Sequence, residues 1–135
     1  MGVHREDETV LAGGNISTVV KIGATVRRVT GSWTPMVHEL LDYLHDRGYG
    51  LAPRALGIDE QGREILTFIS GETVVDHPWP SWVWSDELLT SAATALSTYH
   101  KVVVGYRPPV VSSRLGTKLL GSDEIVCHND FAPYN

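Results

Sequence analysis

Three short runs of β-branched and apolar residues, separated by glycine-containing turns, restrict the fold of this chain most strongly. They cover residues 9–11, 17–22 ("STVVKI") and 24–29 ("ATVRRV"), with "AGGN" (12–15) and Gly23 between them. β-Branched residues favour the pleated surface of a sheet, and glycine accepts the positive φ that tight turns require. The sequence therefore predicts an antiparallel meander of three strands.

A helix and two more strands are predicted next. Thr34 is the expected N-cap and Pro35 suits the first helical position. Apolar residues then recur at helical spacing up to the expected stop at Gly48; they are Val37, Leu40, Leu41 and Leu44. The runs "RALGID" (54–59) and "REILTFI" (63–69) predict two strands around a turn. Five strands joined mostly by hairpins, with one helix against them, predict a small α+β lobe.

A second, helical part is expected after about residue 70. An irregular tryptophan-rich stretch leads to Ser85, the expected N-cap of a helix that ends at His100. One face of this helix is apolar; it is formed by Leu89, Ala92, Leu96 and Tyr99. "GYRPPVVSS" (105–113) reads as a loop or linker. "EIVC" (124–127) reads as a short strand that buries Cys127.

Composition narrows the possible functions. The 135 residues are 42% hydrophobic and 20% charged, which is typical of globular proteins, and the net charge of -5 argues against a general nucleic-acid or anionic-membrane binder. A small phosphate ligand is still possible, because backbone amides and one or two cations can hold it.

A single cysteine excludes an internal disulfide. With no secretory apolar region at the start and no run of 18 apolar residues, we expect a cytoplasmic protein.

The end of the chain carries the most suggestive polar pattern. "HNDFAPYN" (128–135) keeps His128, Asp130 and Asn135 at the spacing H-x-D-x-x-x-x-N, as in the catalytic loop H-R-D-x-x-x-x-N of protein kinases. There the Asp accepts the proton of the attacking hydroxyl and the Asn holds Mg²⁺. Two other interpretations are a polar loop after a buried strand and a metal site that uses His128 and Asp130.

Three separated blocks resemble one enzyme family. They are "VRR" (26–28), "LGIDEQGREILTFISGE" (56–72) and "CHNDFAPYN" (127–135), in the order found in the aminoglycoside phosphotransferase/choline-kinase family. The resemblance implies a kinase-like N-lobe at 1–70, a hinge or linker at 71–84 and the start of a helical C-lobe at 85–135. It also implies an ATP- and Mg²⁺-dependent O-phosphotransferase whose partners are a nucleotide and a small hydroxyl-bearing acceptor.

The same resemblance assigns site residues. Asp130 and His128 would be catalytic, and Asn135 would bind the metal. A turn over the ATP phosphates would be formed by Gly13, Gly14 and Asn15. Arg27 or Arg28 would contact the phosphates, but neighbours on a strand point to opposite faces, so only one can do so. Glu39 is the nearest acid for a helix ion pair, although a surface position is favoured for it. The adenine ring would be bound by the strand residues Thr67, Phe68 and Ile69.

The family also has a later metal-binding Asp and acceptor-binding helices, which do not occur in this sequence. We therefore expect a truncated and inactive phosphotransferase. The alternative is a non-catalytic nucleotide-binding or protein-interaction module of the same fold. Self-association is expected through the apolar face at 86–101, which a missing C-lobe would otherwise cover.

Overall fold

The protein is described by a computed structural model. It describes residues 7–11, 18–74, 76–108, 110–113, 116–128 and 131. Gly13, Gly14, Asn15, Asp130 and Asn135 lie outside the described residues.

The described part of the chain contains one large antiparallel sheet. Its strands are β1 (Thr9–Leu11), β2 (Val19–Ile22), β3 (Thr25–Val29), β4 (Ala55–Ile58) and β5 (Arg63–Thr67). Their spatial order is β1-β2-β3-β5-β4, with all neighbours antiparallel. The meander predicted for the first three strands is therefore confirmed, and so is the hairpin of β4 and β5.

Glycine closes the hairpins where the predicted turns need it. Gly23 has φ of 56° between β2 and β3, and Gly62 has φ of 76° between β4 and β5. The amide of Gly62 donates to the carbonyl of Asp59 at 3.0 Å. Both residues adopt the left-handed region that side chains with a Cβ avoid.

The first helix, α1, spans Thr34–Asp46. Its apolar stripe faces the sheet as predicted, because Leu41 and Leu44 are buried. The predicted cap was off by one residue: Trp33 occupies the N-cap position without a side-chain hydrogen bond. Thr34 is already helical, and its Oγ1 accepts from the amide of Gly31 at 3.0 Å.

The second helix, α2, spans Asp86–Val103. Ser85 caps it as predicted, since its Oγ accepts from the amide of Leu88 at 3.2 Å. The helix runs three residues past His100 because Val103 is fully buried and extends the packed stripe. A 3₁₀ helix at Ser81–Trp84 lies within the stretch that the sequence left irregular.

Two expectations for the later part of the chain were wrong. The stretch expected to be a loop contains β6 (Val111–Ser113), which pairs with β7 (Gly116–Lys118). The expected strand at 124–127 is irregular backbone, and Cys127 is exposed. The side chain of Val126 alone is buried there, and its carbonyl accepts from the Tyr99 hydroxyl at 2.9 Å. Packing of Val126 and Ile125, and hydrogen bonds that Glu124 accepts from Gly121 and Lys118, therefore hold a segment for which the apolar run suggested a strand.

The core joins the sheet and both helices. It contains Val26 and Leu66 from the sheet, Leu41 and Leu44 from α1, and Tyr99 and Val103 from α2. The described chain thus has an α+β fold, a five-stranded antiparallel sheet with two α-helices. Within the described ranges, neither helix is both long and apolar enough to cross a membrane.

Candidate functional site

A buried carboxylate organises the main polar cluster on the helix-facing side of the sheet. Glu64 on β5 is only 2% exposed. Its Oε1 lies 2.8 Å from both Nε and Nη2 of Arg28, and its Oε2 lies 3.0 Å from Nε2 of His38. A buried charge is tolerated when it is paired and hydrogen-bonded, and both oxygens of Glu64 have partners. We call Arg28, Glu64 and His38 the Glu64 cluster.

Strand alternation places the Glu64 cluster against α1. Arg28 on β3 lies directly opposite Glu64 on β5, two residues along from the buried pair Val26 and Leu66. Side chains two residues apart share a face of a sheet, so the ion pair lies next to the apolar core. His38 reaches the same carboxylate from α1. The cluster therefore ties two strands and a helix together through polar side chains.

The sequence did not single out Glu64, although a signal for it exists. Glu64 and Leu66 occupy alternate positions of β5, so a buried Leu66 implies an inward Glu64. Glu39, the acid considered for a helix ion pair, is exposed. The preceding residue, His38, is the helix residue that reaches the cluster. The favoured surface position of Glu39 is thus confirmed.

Arg27 points to the opposite face of the sheet, as strand alternation predicted. Its side chain is 14% exposed, and its Nε lies 3.5 Å from Oδ2 of Asp59. Its Nη1 also donates to Oγ1 of Thr25 at 2.6 Å. Both arginines are therefore already paired with carboxylates. A phosphate would have to compete with Asp59 for Arg27 and with Glu64 for Arg28.

Asp59 connects the turn after β4 to this outer face. Its Oδ1 accepts from the amides of Gln61 and Arg63 at 2.9 Å each, and its Oδ2 accepts from Nε of Arg63 at 2.8 Å. Partial burial acts to raise the pKa of Asp59, but the hydrogen bonds from Arg63 and Gln61 outweigh it and hold the pKa below its ordinary value of 3.8. The carboxylate thus stabilises the turn as an anion.

The residues predicted to bind adenine lie at the end of β5. The amide of Thr67 donates to the carbonyl of Arg54 at 3.0 Å, and that of Phe68 donates to the carbonyl of Ala24 at 2.9 Å. The ammonium of Lys21 lies 4.7 Å from the centre of the Phe68 ring. Ile69 is 55% exposed. Two of the three amides are thus used within the fold, and adenine binding at this strand end stays a prediction.

The catalytic-loop pattern is described only in part. His128 is exposed, and its ring centre lies 6.0 Å from that of Phe131 at an interplanar angle of 85°. Asp130 and Asn135 fall outside the described residues, as does the turn at Gly13, Gly14 and Asn15. The predicted arrangement of His128 with Asp130 and Asn135 therefore lies outside the described residues and stays a prediction.

The described side chains do not form a metal site. Over the residues described, no group of three or more His, Cys, Asp or Glu side chains could hold a metal ion. The predicted metal ligand, Asn135, is not among these residues. Binding of Mg²⁺ and of ATP therefore stays a prediction.

Two buried phenols lie near the end of α2. Burial, with a smaller effect from Cys127, raises the pKa of Tyr99 to about 12. Burial, with a smaller effect from Glu39, raises the pKa of Tyr106 to about 12. The hydroxyl of Tyr99 is bonded to the carbonyl of Val126, whereas that of Tyr106 has no partner among the described residues.

Comparison with known proteins points away from a kinase. No family model matches the chain. No solved structure matches it either. The chain is 36% identical over 134 residues to the trifolitoxin immunity protein of Rhizobium leguminosarum bv. trifolii. The match covers 96% of this chain and 49% of that protein, so the chain spans about half the length of the curated relative.

The expected membership of the phosphotransferase family is therefore wrong, and so is the expected ATP-dependent transferase function. The relative that matches almost the whole chain is an immunity protein. The resemblance rested on three short blocks, whereas the identity to the immunity protein extends over 96% of the chain. The sequence is similar to an immunity protein over nearly all of its length.

Proposed function

We propose that this chain belongs to a toxin-immunity protein and contributes to protection against a toxin of the trifolitoxin kind. One observation carries the proposal: the 36% identity to the trifolitoxin immunity protein extends over 96% of the chain. A match of that extent includes the sheet, α1 and α2 together. It therefore reflects the whole folded unit, which a short polar motif does not.

The organisation of the chain is part of the same proposal. We infer a sheet lobe at 1–70, a connector at 71–84 and a helical part at 85–135. The end of β5 at Thr67 and the N-cap of α2 at Ser85 support this division. We propose the likeness to a kinase N-lobe only for the architecture of the sheet and α1. It implies no kinase activity. A cytoplasmic location rests on the sequence pattern alone.

Expression in a toxin-sensitive host tests the proposal. The chain is produced in a trifolitoxin-sensitive Rhizobium strain, beside an empty vector and the full-length relative. Because the chain corresponds to 49% of that relative, a chimera in which it replaces the matching half is included. We expect growth of the chimera strain at a toxin concentration that stops the vector strain.

Two controls make a negative result interpretable. An immunoblot and limited proteolysis establish that the chimera accumulates in folded form. The full-length relative establishes that the assay detects protection. A folded chimera that gives no more growth than the empty vector, in the same experiment in which the relative protects, overturns the proposal.

A further inference from the structure

The outward face of α2 carries open grooves, and apart from Val104 and Ile125 their lining residues all belong to the helix. Two adjoining open grooves of about 440 and 520 Å³ run along the helix and share Ala93, Ser97 and Lys101. The inward face packs on the core through Tyr99 and Val103. The grooved surface therefore includes Leu89 and Leu96 from the apolar face that the sequence singled out, together with small side chains outside that face.

The centre of the outward face is made of small side chains. Thr90, Ala93, Thr94 and Ser97 are all exposed there. The distance between two packed helices depends on the side chains at their contact, and small side chains allow a close approach. Leu89, which is 69% exposed, adds apolar surface beside them. This shape fits another helix.

Charges mark the two ends of the same helix. The first turn carries Asp86 and Glu87, and the last turn carries His100 and Lys101. Asp86 and Lys101 are equally many residues from the midpoint between Ala93 and Thr94, and so are Glu87 and His100. A second α2 laid antiparallel across that midpoint would place each acidic turn beside a basic turn. A parallel arrangement would place like charges together.

We propose that the outward face of α2 docks against the same face of a second copy of this chain, as an antiparallel helix pair about a two-fold axis. In such an interface the same patch serves both partners, so it must be complementary to itself. The spacing of Asp86 and Lys101 around a centre of small residues meets that requirement. An unrelated partner would need no such symmetry within one helix.

Charge reversal tests the register of the pair. The association constant of the 135-residue chain is measured by analytical ultracentrifugation over a concentration series. Because the axis doubles each contact, Asp86→Lys or Lys101→Glu alone should weaken association roughly tenfold. The double variant should recover most of the loss. Single losses without recovery in the double variant overturn the antiparallel register.

Substitution at the centre tests the surface itself. Ala93→Glu places two like charges at the axis and should abolish the dimer. Ser91→Glu is the matched control, because Ser91 is exposed on the same helix but off the grooved face; it should leave association unchanged. Circular dichroism checks that each variant keeps its helices. A wild-type chain that stays monomeric at every concentration overturns the proposal, as does a dimer that Ala93→Glu does not affect.

Discussion

The guanidinium of Arg28 meets Oε1 of Glu64 through two nitrogens, each at 2.8 Å. The carboxylate is 2% exposed, whereas the side chain of Arg28 is 36% exposed. The pair thus has one partner in the core and one at its edge. A partly exposed arginine usually contributes little to stability. Here Arg28 contributes more, because without it the buried charge of Glu64 would lose its main partner.

Removing Arg28 should destabilise the fold strongly. Arg28→Ala leaves the Glu64 carboxylate buried with His38 as its remaining partner, and we expect a loss of about 3 kcal/mol in the free energy of unfolding. Urea denaturation measures it. Arg28→Met combined with Glu64→Leu removes both charges and should recover most of the loss. Arg54→Ala, at an exposed arginine, should change stability little; equal losses at Arg28 and Arg54 would contradict the role of the pair.

Asp59 should give the fold part of its acid sensitivity. Its folded pKa lies below the ordinary 3.8, so its contribution is present above that value and is lost as the pH falls through the folded pKa. Asp59→Asn keeps an acceptor for the turn amides but removes the charge. Thermal unfolding from neutral pH to about pH 2 should show a shallower acid decline for Asp59→Asn than for wild type. Asp42→Asn, an exposed acid on α1, should follow wild type, and parallel profiles for all three would refute the assignment.

The two buried phenols should respond differently to loss of their hydroxyls. Tyr99→Phe breaks the bond to the carbonyl of Val126 and should cost about 1 kcal/mol, whereas Tyr106→Phe removes a hydroxyl without a partner among the described residues and should be neutral or slightly stabilising. Denaturant unfolding of both variants makes the comparison. A larger loss at Tyr106 than at Tyr99 would be inconsistent with this hydrogen bonding.

An alkaline titration should detect the same two side chains. The pKa values of Tyr99 and Tyr106 are raised from 10.0 to about 12 in the folded protein. The contribution of each phenol to the free energy of unfolding is therefore fully present below pH 10. It is lost as the pH rises through about 12. Ultraviolet difference absorbance should show tyrosines that ionise late. Each Phe variant should remove one late-ionising group, and a titration in which all tyrosines ionise together near pH 10 would rule this out.

A side chain at position 31 should destabilise the fold. A Cβ added there would overlap the indole ring of Trp33, whereas one added at Gly71 would meet no heavy atom within 4 Å. Gly31→Ala should therefore cost about 1–3 kcal/mol, because the ring and the start of α1 must shift. Gly71→Ala is the matched control and should change stability by less than about 0.5 kcal/mol. Thermal melts compare them, and equal midpoints would show that the ring moves freely.

Local patterns predicted most of the sheet and both helices. The runs around Val20, Val26 and Leu66 alternate or carry β-branched residues, and Ser85 offers a cap followed by acidic residues, so local chemistry and tertiary packing agree. The pairing of β6 with β7 was missed because Pro108 and Pro109 precede β6 and favour a loop. The burial of Glu64 was missed because it depends on Arg28, 36 positions away along the chain.

The functional interpretation failed for a different reason. The kinase-like function was inferred from the spacing of His128, Asp130 and Asn135 and from two other short blocks, and short blocks do not establish a shared function. The Glu64 cluster shows the opposite case, in which residues far apart in sequence meet through strand register and helix packing. Sequence reasoning identified Arg28 as a candidate but could not choose its partner.

The placement of β5 next to β3 has a consequence for synthesis of the protein. These strands form the middle of the sheet, yet α1 and β4 lie between them in the chain. The hairpin of β2 and β3 can form as soon as it leaves the ribosome, but β3 keeps one unpaired edge until residue 67 has emerged. During that interval the nascent chain exposes Val26 and an open backbone edge, which makes it a natural client for chaperones that bind extended apolar segments.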